Sequence, residues 1–161
     1  MPNARAATLI ILIVLTATIA GAWIFEAYGI KPCHLCLQQR WAYYTGIPLA
    51  ALVWLALTLN PAAGRWGLGL LGLLLAASAV FGAFHAGVEW KFWPGPGTCT
   101  GALSGGLPSL TDEPVIACDE AAIRIPPGFL SLAGWNAVIS AALSALAWRS
   151  LWGGRFSSSL Q

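Results

Sequence analysis

The chain has 161 residues, 58% of them hydrophobic and only 9% charged, with a net charge of +2. A soluble domain carries about 25% charged residues, and a chain this short would need far more polar surface to cover a core in water. Composition therefore excludes a water-soluble domain, the mean hydropathy of +0.73 agrees, and the few positive charges are too spread out to form a nucleic-acid face.

A helix needs about 20 apolar residues to cross a bilayer. Four windows free of Asp, Glu, Lys and Arg have that length: Ala6 to Phe25, Trp41 to Gly64, Trp66 to Val88 and Ile125 to Trp148. Backbone groups in lipid must bond internally, so each window is read as a helix. The expected fold is an all-α membrane protein, a single bundle of four transmembrane helices at about 6–27, 36–59, 66–86 and 128–149. A short first loop and a long second loop, about 87–127, lie on one side, and both termini lie on the other.

The first window has a competing reading as a cleaved signal peptide, since Arg5 precedes it and Ala20-Gly21-Ala22 resembles a small-residue cleavage site; the apolar run is longer than a signal core of about 7–15 residues. Pro48 is expected to kink the second helix, and Asn60 to Arg65 reads as a tight turn. The third helix is rich in Gly and Ala, which let helices approach closely in lipid. The second loop holds six of the ten prolines. It opens on an interfacial aromatic belt, Trp90-Lys91-Phe92-Trp93, and Leu103, Leu107 and Leu110 allow at most a short segment lying on the membrane. Ser157-Ser158-Ser159 reads as a disordered tail. Arg5, Arg65, Arg149 and Arg155 share the side of the termini with no acidic residue, and all six carboxylates fall on the other side. The positive-inside rule then makes the termini cytoplasmic.

All four cysteines, Cys33, Cys36, Cys99 and Cys118, fall on the outer side, where disulfides persist. Cys33 and Cys36 form a Cys-x-x-Cys unit at a helix start behind Pro32, where free N–H groups and the helix dipole favour a thiolate. Inert staples are the bland alternative. That reading is weak for Cys33 and Cys36, whose bridge closes too short a loop to stabilise much, and strong for Cys99 and Cys118. A four-cysteine zinc site is disfavoured by the long spacing of the second pair, so no metal is expected. Arg40, four residues after Cys36, falls on the same helical face, and a charge there is costly unless it snorkels or has a task. His85, in the last turn of the third helix, is expected level with Cys36 and Arg40. Together they would mark a pocket open to lipid that suits an apolar molecule with polar carbonyls.

These residues resemble the DsbB family of disulfide bond formation proteins, in particular its alphaproteobacterial members. The matching features are Pro32-Cys33-His34-Leu35-Cys36 with Arg40, His85, and the stretch from His85-Ala86-Gly87-Val88-Glu89-Trp90 through Trp93-Pro94-Gly95-Pro96 to Cys99-Thr100-Gly101. Cys118-Asp119-Glu120 and Ser131-Leu132-Ala133-Gly134-Trp135-Asn136 also match, so the likeness covers nearly the whole chain. It implies a thiol:quinone oxidoreductase of the bacterial inner membrane with periplasmic cysteines, which reoxidises a periplasmic DsbA-type thioredoxin-fold oxidase. Cys99 would form the mixed disulfide with that partner and Cys118 would then pair with Cys33. Cys36 would be freed as a thiolate against a quinone, ubiquinone being the expected one, held by Arg40 and His85. The chain departs from the family pattern at Gln39, where a carboxylate can occur, in a short Cys99–Cys118 segment, and at Ile123-Arg124-Ile125-Pro126-Pro127. Two other functions compete. A vitamin K epoxide reductase-like enzyme carries its Cys-x-x-Cys late rather than early, and a non-enzymatic membrane protein with structural disulfides would leave Arg40 and His85 without a task.

Overall fold

Each helix start in the computed structural model, which describes residues 3–97, 99, 117–121, 124–125 and 130–157, is set by a capping residue. The first helix, α1 (Ala4–Ala27), starts where the Asn3 side chain accepts the Ala6 N–H at 2.8 Å. It ends in a Schellman turn: Ile30 N–H donates to Phe25 O and Gly29 N–H to Glu26 O, with Gly29 at φ 88°. That left-handed position suits a residue without a Cβ.

The second helix, α2 (His34–Leu59), begins two residues before the expected 36, because Cys33 itself caps it: its sulfur accepts the Cys36 N–H at 3.2 Å. Pro48 lies inside α2, which continues past it. Asn60 then ends α2 and caps α3 (Pro61–Glu89), accepting the Ala63 N–H at 3.2 Å. The expected turn from Asn60 to Arg65 is thus a single residue, since Asn followed by Pro supplies an N-cap and a preorganised first position. The crossing is tight: a Cβ at Gly64 would stand 2.6 Å from the Leu57 backbone nitrogen.

α3 ends in a second Schellman turn, with Phe92 N–H donating to Gly87 O and Lys91 N–H to Val88 O. Here Lys91 takes the left-handed position, at φ 61°, and its ammonium pairs with Asp119. The fourth helix, α4 (Leu132–Ser157), starts later than the expected 128 and runs beyond 149. Residues 130 and 131 belong instead to a two-residue antiparallel ladder, β1 (Arg124–Ile125) with β2 (Leu130–Ser131), and the Ser131 hydroxyl caps α4 by accepting the Gly134 N–H. Leu103, Leu107 and Leu110 lie outside the described residues.

α1, α2 and α3 are long and apolar enough to cross a membrane. α4 is as long as α2 but more polar, and its polar groups turn inward. Ser140 bonds Ser78 at 3.1 Å, Ser144 donates to Gly72 O at 2.8 Å, and Asn136 accepts from Tyr43. These bonds give the Ser140 and Ser144 hydroxyls and the Asn136 carbonyl partners on neighbouring helices rather than in lipid, while Asn136 Nδ2 and Trp135 Nε1 are buried without one. The helices pack in a ring, α1 on α2, α2 on α3, α3 on α4 and α4 back on α1. Ile11, Leu15, Ala50, Leu68, Leu71, Leu75 and Ala147 fill the middle, while Ile13, Leu52, Leu70 and Val80 point outward. The protein is an all-α membrane protein built on a four-helix bundle.

The α3–α4 seam depends on Gly82. A Cβ there would lie 2.9 Å from Ala137 N and 3.1 Å from Ala137 Cα, backbone that cannot turn aside. Gly82→Ala should therefore destabilise the purified protein by about 1–3 kcal/mol, read as a lower melting temperature in detergent. Gly69→Ala meets only a Leu151 methyl, at 3.8 Å, and should be neutral or stabilising by up to about 1 kcal/mol. Equal melting of the two variants would refute the seam's dependence on close approach.

Candidate active site

The two cysteine pairs meet at one end of the bundle. Cys33 is buried at the start of α2, in the extended conformation of a cap residue. One turn in, Cys36 is half-buried, and both are free thiols. Cys99 and Cys118 are joined in a disulfide, with Cα atoms 5.0 Å apart. This bridge does not hang in an open loop. Cys99, Cys118, Cys33, Leu35 and Val88 form one buried cluster, with Cys36 packed against it. The flanking segment is fastened to α3: Trp93 stacks on Phe84 and donates to the Phe84 carbonyl at 3.0 Å, and Lys91 pairs with Asp119, next to Cys118. The Lys91 hydrogen bond holds the Asp119 carboxyl below the usual carboxylate range.

His85 sits in the last turns of α3, 1% exposed. Its Nε2 is 3.6 Å from Cys33 Sγ, its Nδ1 is 3.0 Å from the Gln39 side-chain amide, and the Glu89 carboxylate lies 3.9 Å from Nε2. Its direct sulfur neighbour is therefore Cys33. Arg40 points elsewhere, donating to Glu26 at the end of α1 at 2.6 Å. Between α1, α2 and the start of α4 lies a cavity of about 340 Å³. Cys36, Gln39 and Arg40 line one side, and Ala22, Phe25, Trp135 and Asn136 are among the others. His85 and Cys33 do not line it. The structure thus brings Cys36 and Arg40 together at the cavity, and Cys33, Cys99 and Cys118 together in the buried cluster. His85 stands beside the latter and meets the cavity wall through Gln39 and, within 4.8 Å, the Cys36 sulfur.

Three of these neighbours were not singled out from the sequence as site residues. Glu89 carried a usable signal, since it follows His85 by four residues on one helix and must share its face. Gln39 and Glu26 carried none, because their partners lie on other helices.

The cluster's electrostatics favour charge on Cys33. The Cys36 thiol donating to its sulfur, helped by His85 and the Cys36 N–H and opposed by burial, pulls the Cys33 thiol well below the usual thiol range. A thiolate here is the nucleophile that thiol–disulfide exchange requires. In the dithiol form, Cys33 alkylation by a small reagent should hold nearly constant as the pH falls through the range of an ordinary thiol, about 8.5, and drop only at a lower pH. An ordinary thiol loses reactivity tenfold per unit below about 8.5. Between the lowered value and the ordinary one the unfolded chain binds the extra proton, so the dithiol form gains stability as pH rises across the window and loses it as pH falls. Peptide mapping of alkylated protein across this range provides the check, and a Cys33 titration near 8.5 would contradict the arrangement.

A model of the family described as disulfide bond formation protein DsbB matches residues 4–149. The matched span takes in both cysteine pairs, every residue named at the cavity, and all four helices up to Arg149. No curated protein and no solved structure matched the chain. The chain belongs to the DsbB family, whose members are membrane oxidoreductases that form disulfide bonds.

Proposed function

We propose that the chain reoxidises a soluble periplasmic dithiol oxidase of the DsbA type and delivers the electrons to a membrane quinone, ubiquinone first among them. One observation carries this reading: the Cys33–Cys36 unit bridges two environments. Cys33 packs with the Cys99–Cys118 disulfide, while Cys36 lines an apolar cavity beside Arg40.

The exchanges balance. A partner thiolate attacks Cys99, giving a mixed disulfide and a Cys118 thiolate. Cys118 attacks Cys33 of an oxidised Cys33–Cys36 pair, and Cys36 leaves as thiolate. The partner's second thiol releases it oxidised and frees Cys99, and Cys99 then attacks Cys118 and regenerates the loop disulfide. The Cys33–Cys36 dithiol that remains is the pairing present here, and it loses two electrons and two protons to close the cycle. The His85 Nε2 stands where it can donate to Cys33 each time that sulfur is released as a thiolate.

The cavity suits a quinone ring in its chemistry. Its walls are mainly apolar, Arg40 offers a planar fork of donors, and the Cys36 sulfur faces in. A quinone supplies a two-electron, two-proton acceptor. Arg40, oriented by Glu26, would hold a carbonyl and the negative charge developing on it, while Gln39 fixes the His85 ring from the cavity side. Cytoplasmic termini fit the same scheme: Arg5, Arg65 and Arg149 lie at the end opposite the cysteines, Arg65 donating to Leu151 O and Arg5 standing over the Trp54 ring.

Two experiments test the route. In Cys118→Ser, the partner should accumulate on Cys99 as a mixed disulfide visible on non-reducing gels, and Cys99→Ser should show none; trapping that persists without Cys99 would reverse the roles. In Arg40→Ala, kcat/KM for quinone should fall roughly tenfold or more, the loss of a charged hydrogen bond. Exchange between the partner and Cys99–Cys118 should be unaffected. Unchanged quinone kinetics would reduce Arg40 to an anchor for Glu26.

A further inference from the structure

We propose that the reduced Cys33–Cys36 pair and His85 form a binding site for a thiophilic divalent cation of the zinc class, and that occupancy holds the dithiol out of turnover. The site stands on the geometry of the cluster, whichever acceptor the cavity takes.

The donor atoms of Cys33, Cys36 and His85 all lie within 4.8 Å of one another. In a tetrahedral zinc site, with Zn–S about 2.3 Å and Zn–N about 2.0–2.1 Å, neighbouring donors stand about 3.5–3.8 Å apart. Cys33 Sγ and His85 Nε2 already have such a separation, 3.6 Å. The Cys36 sulfur lies within 4.8 Å of both, so a rotation of its side chain would close the third edge. Beside them, the Glu89 carboxylate is 3.9 Å from the same His85 nitrogen, on a side chain that is 6% exposed.

The surroundings match what a metal-bound histidine requires. Such a histidine uses its other ring nitrogen to donate to an oxygen, which fixes ring and tautomer. Gln39 lies 3.0 Å from Nδ1, and with its amide turned so that Oε1 faces the ring it accepts that proton. The Cys36 N–H already points at the Cys33 sulfur, the contact that stabilises a ligating thiolate. Two sulfurs and an imidazole select zinc, cadmium or cobalt over magnesium or calcium, which take oxygen ligands. This is not the four-cysteine centre weighed from the sequence, because Cys99 and Cys118 are bonded to each other.

Binding is redox-gated by its chemistry. Each thiol that coordinates releases its proton to solvent, the cation stays divalent and no electrons move. A Cys33–Cys36 disulfide offers no thiolate, so only the reduced pair binds. Bound thiolates can neither attack a disulfide nor pass electrons onward.

The test is titration of full-length protein in detergent micelles with cadmium, followed by thiolate-to-cadmium charge-transfer absorption, with zinc as competitor. Loop thiols are removed by Cys99→Ser/Cys118→Ser. The reduced protein should bind one equivalent, and the protein oxidised at Cys33–Cys36 none. Cys33→Ser should abolish the band at stoichiometric metal. His85→Gln should weaken binding at least tenfold. Gln39→Ala, which keeps every ligand, should weaken it by about 10- to 100-fold and carries the test should His85→Gln fail to fold. No band in the reduced protein, equal binding by the oxidised protein, or wild-type affinity in both the His85 and Gln39 variants would overturn the proposal.

Discussion

The sulfur of Cys33 closes the first turn of α2, and much of the cysteine end is arranged around that contact. A helix leaves its first N–H groups unsatisfied, and this one gives the Cys36 N–H to a sulfur where Ser, Thr or Asp is usual. In the proposed route, the cap is thereby also the group whose charge changes. Negative charge on Cys33 is stabilised by the helix start, by the Cys36 thiol and by His85, and it is lost when Cys33 enters a disulfide. Chain geometry on either side serves the same point. The Schellman turn after α1 delivers Pro32 ahead of Cys33 and leaves Glu26 within reach of Arg40. The matching turn after α3 delivers Lys91 to Asp119, which fastens the segment carrying Cys118.

A second constraint comes from lipid, where polar groups must find partners within the protein. α4 meets it by turning Asn136, Ser140 and Ser144 toward α2 and α3. This inward polarity also shapes the cavity. Tyr43 and Asn136 bond across it from α2 and α4, holding two helices at a fixed separation while α1 supplies an apolar wall. Arg40 is tolerable at the membrane edge because Glu26 shares its charge.

Apolar run length made the four helices and their order legible, and cysteine placement put both cysteine pairs at one end of the bundle, as the structure has them. Helix limits were missed where a cap outweighed the charge pattern. Arg65 suggested a break before Trp66, yet Asn60-Pro61 starts α3 at once. The run from Ile125 suggested an early α4, yet residues 130 and 131 pair with 124 and 125 and Ser131 caps the helix. Periodicity placed Arg40 on the face of Cys36, as the shared cavity agrees. It gave no rotation of α3 relative to α2, and that rotation decides whether His85 meets Cys33 or the cavity. Hence Gln39 against His85 and Arg40 against Glu26, contacts between different helices, were not readable from spacing.

The three-residue spacing of the Cys-x-x-Cys unit has a physical use here. Cys33, still extended, projects from the helix end into the cluster of the loop disulfide, while Cys36, inside the first turn, faces the cavity. One short covalent unit therefore reaches two compartments that share no other described sulfur. His85 and Arg40 divide between them in the same way, one beside each sulfur. Besides Cys36, Gln39 touches both sides, bonding the His85 ring while lining the cavity. A carboxamide can fix a ring by hydrogen bonding but takes up no proton at neutral pH. In this chain the link between the two sulfurs' environments is therefore one of orientation. His85 and the neighbouring Glu89 stand on the Cys33 side of that link, on one face of α3, and neither lines the cavity.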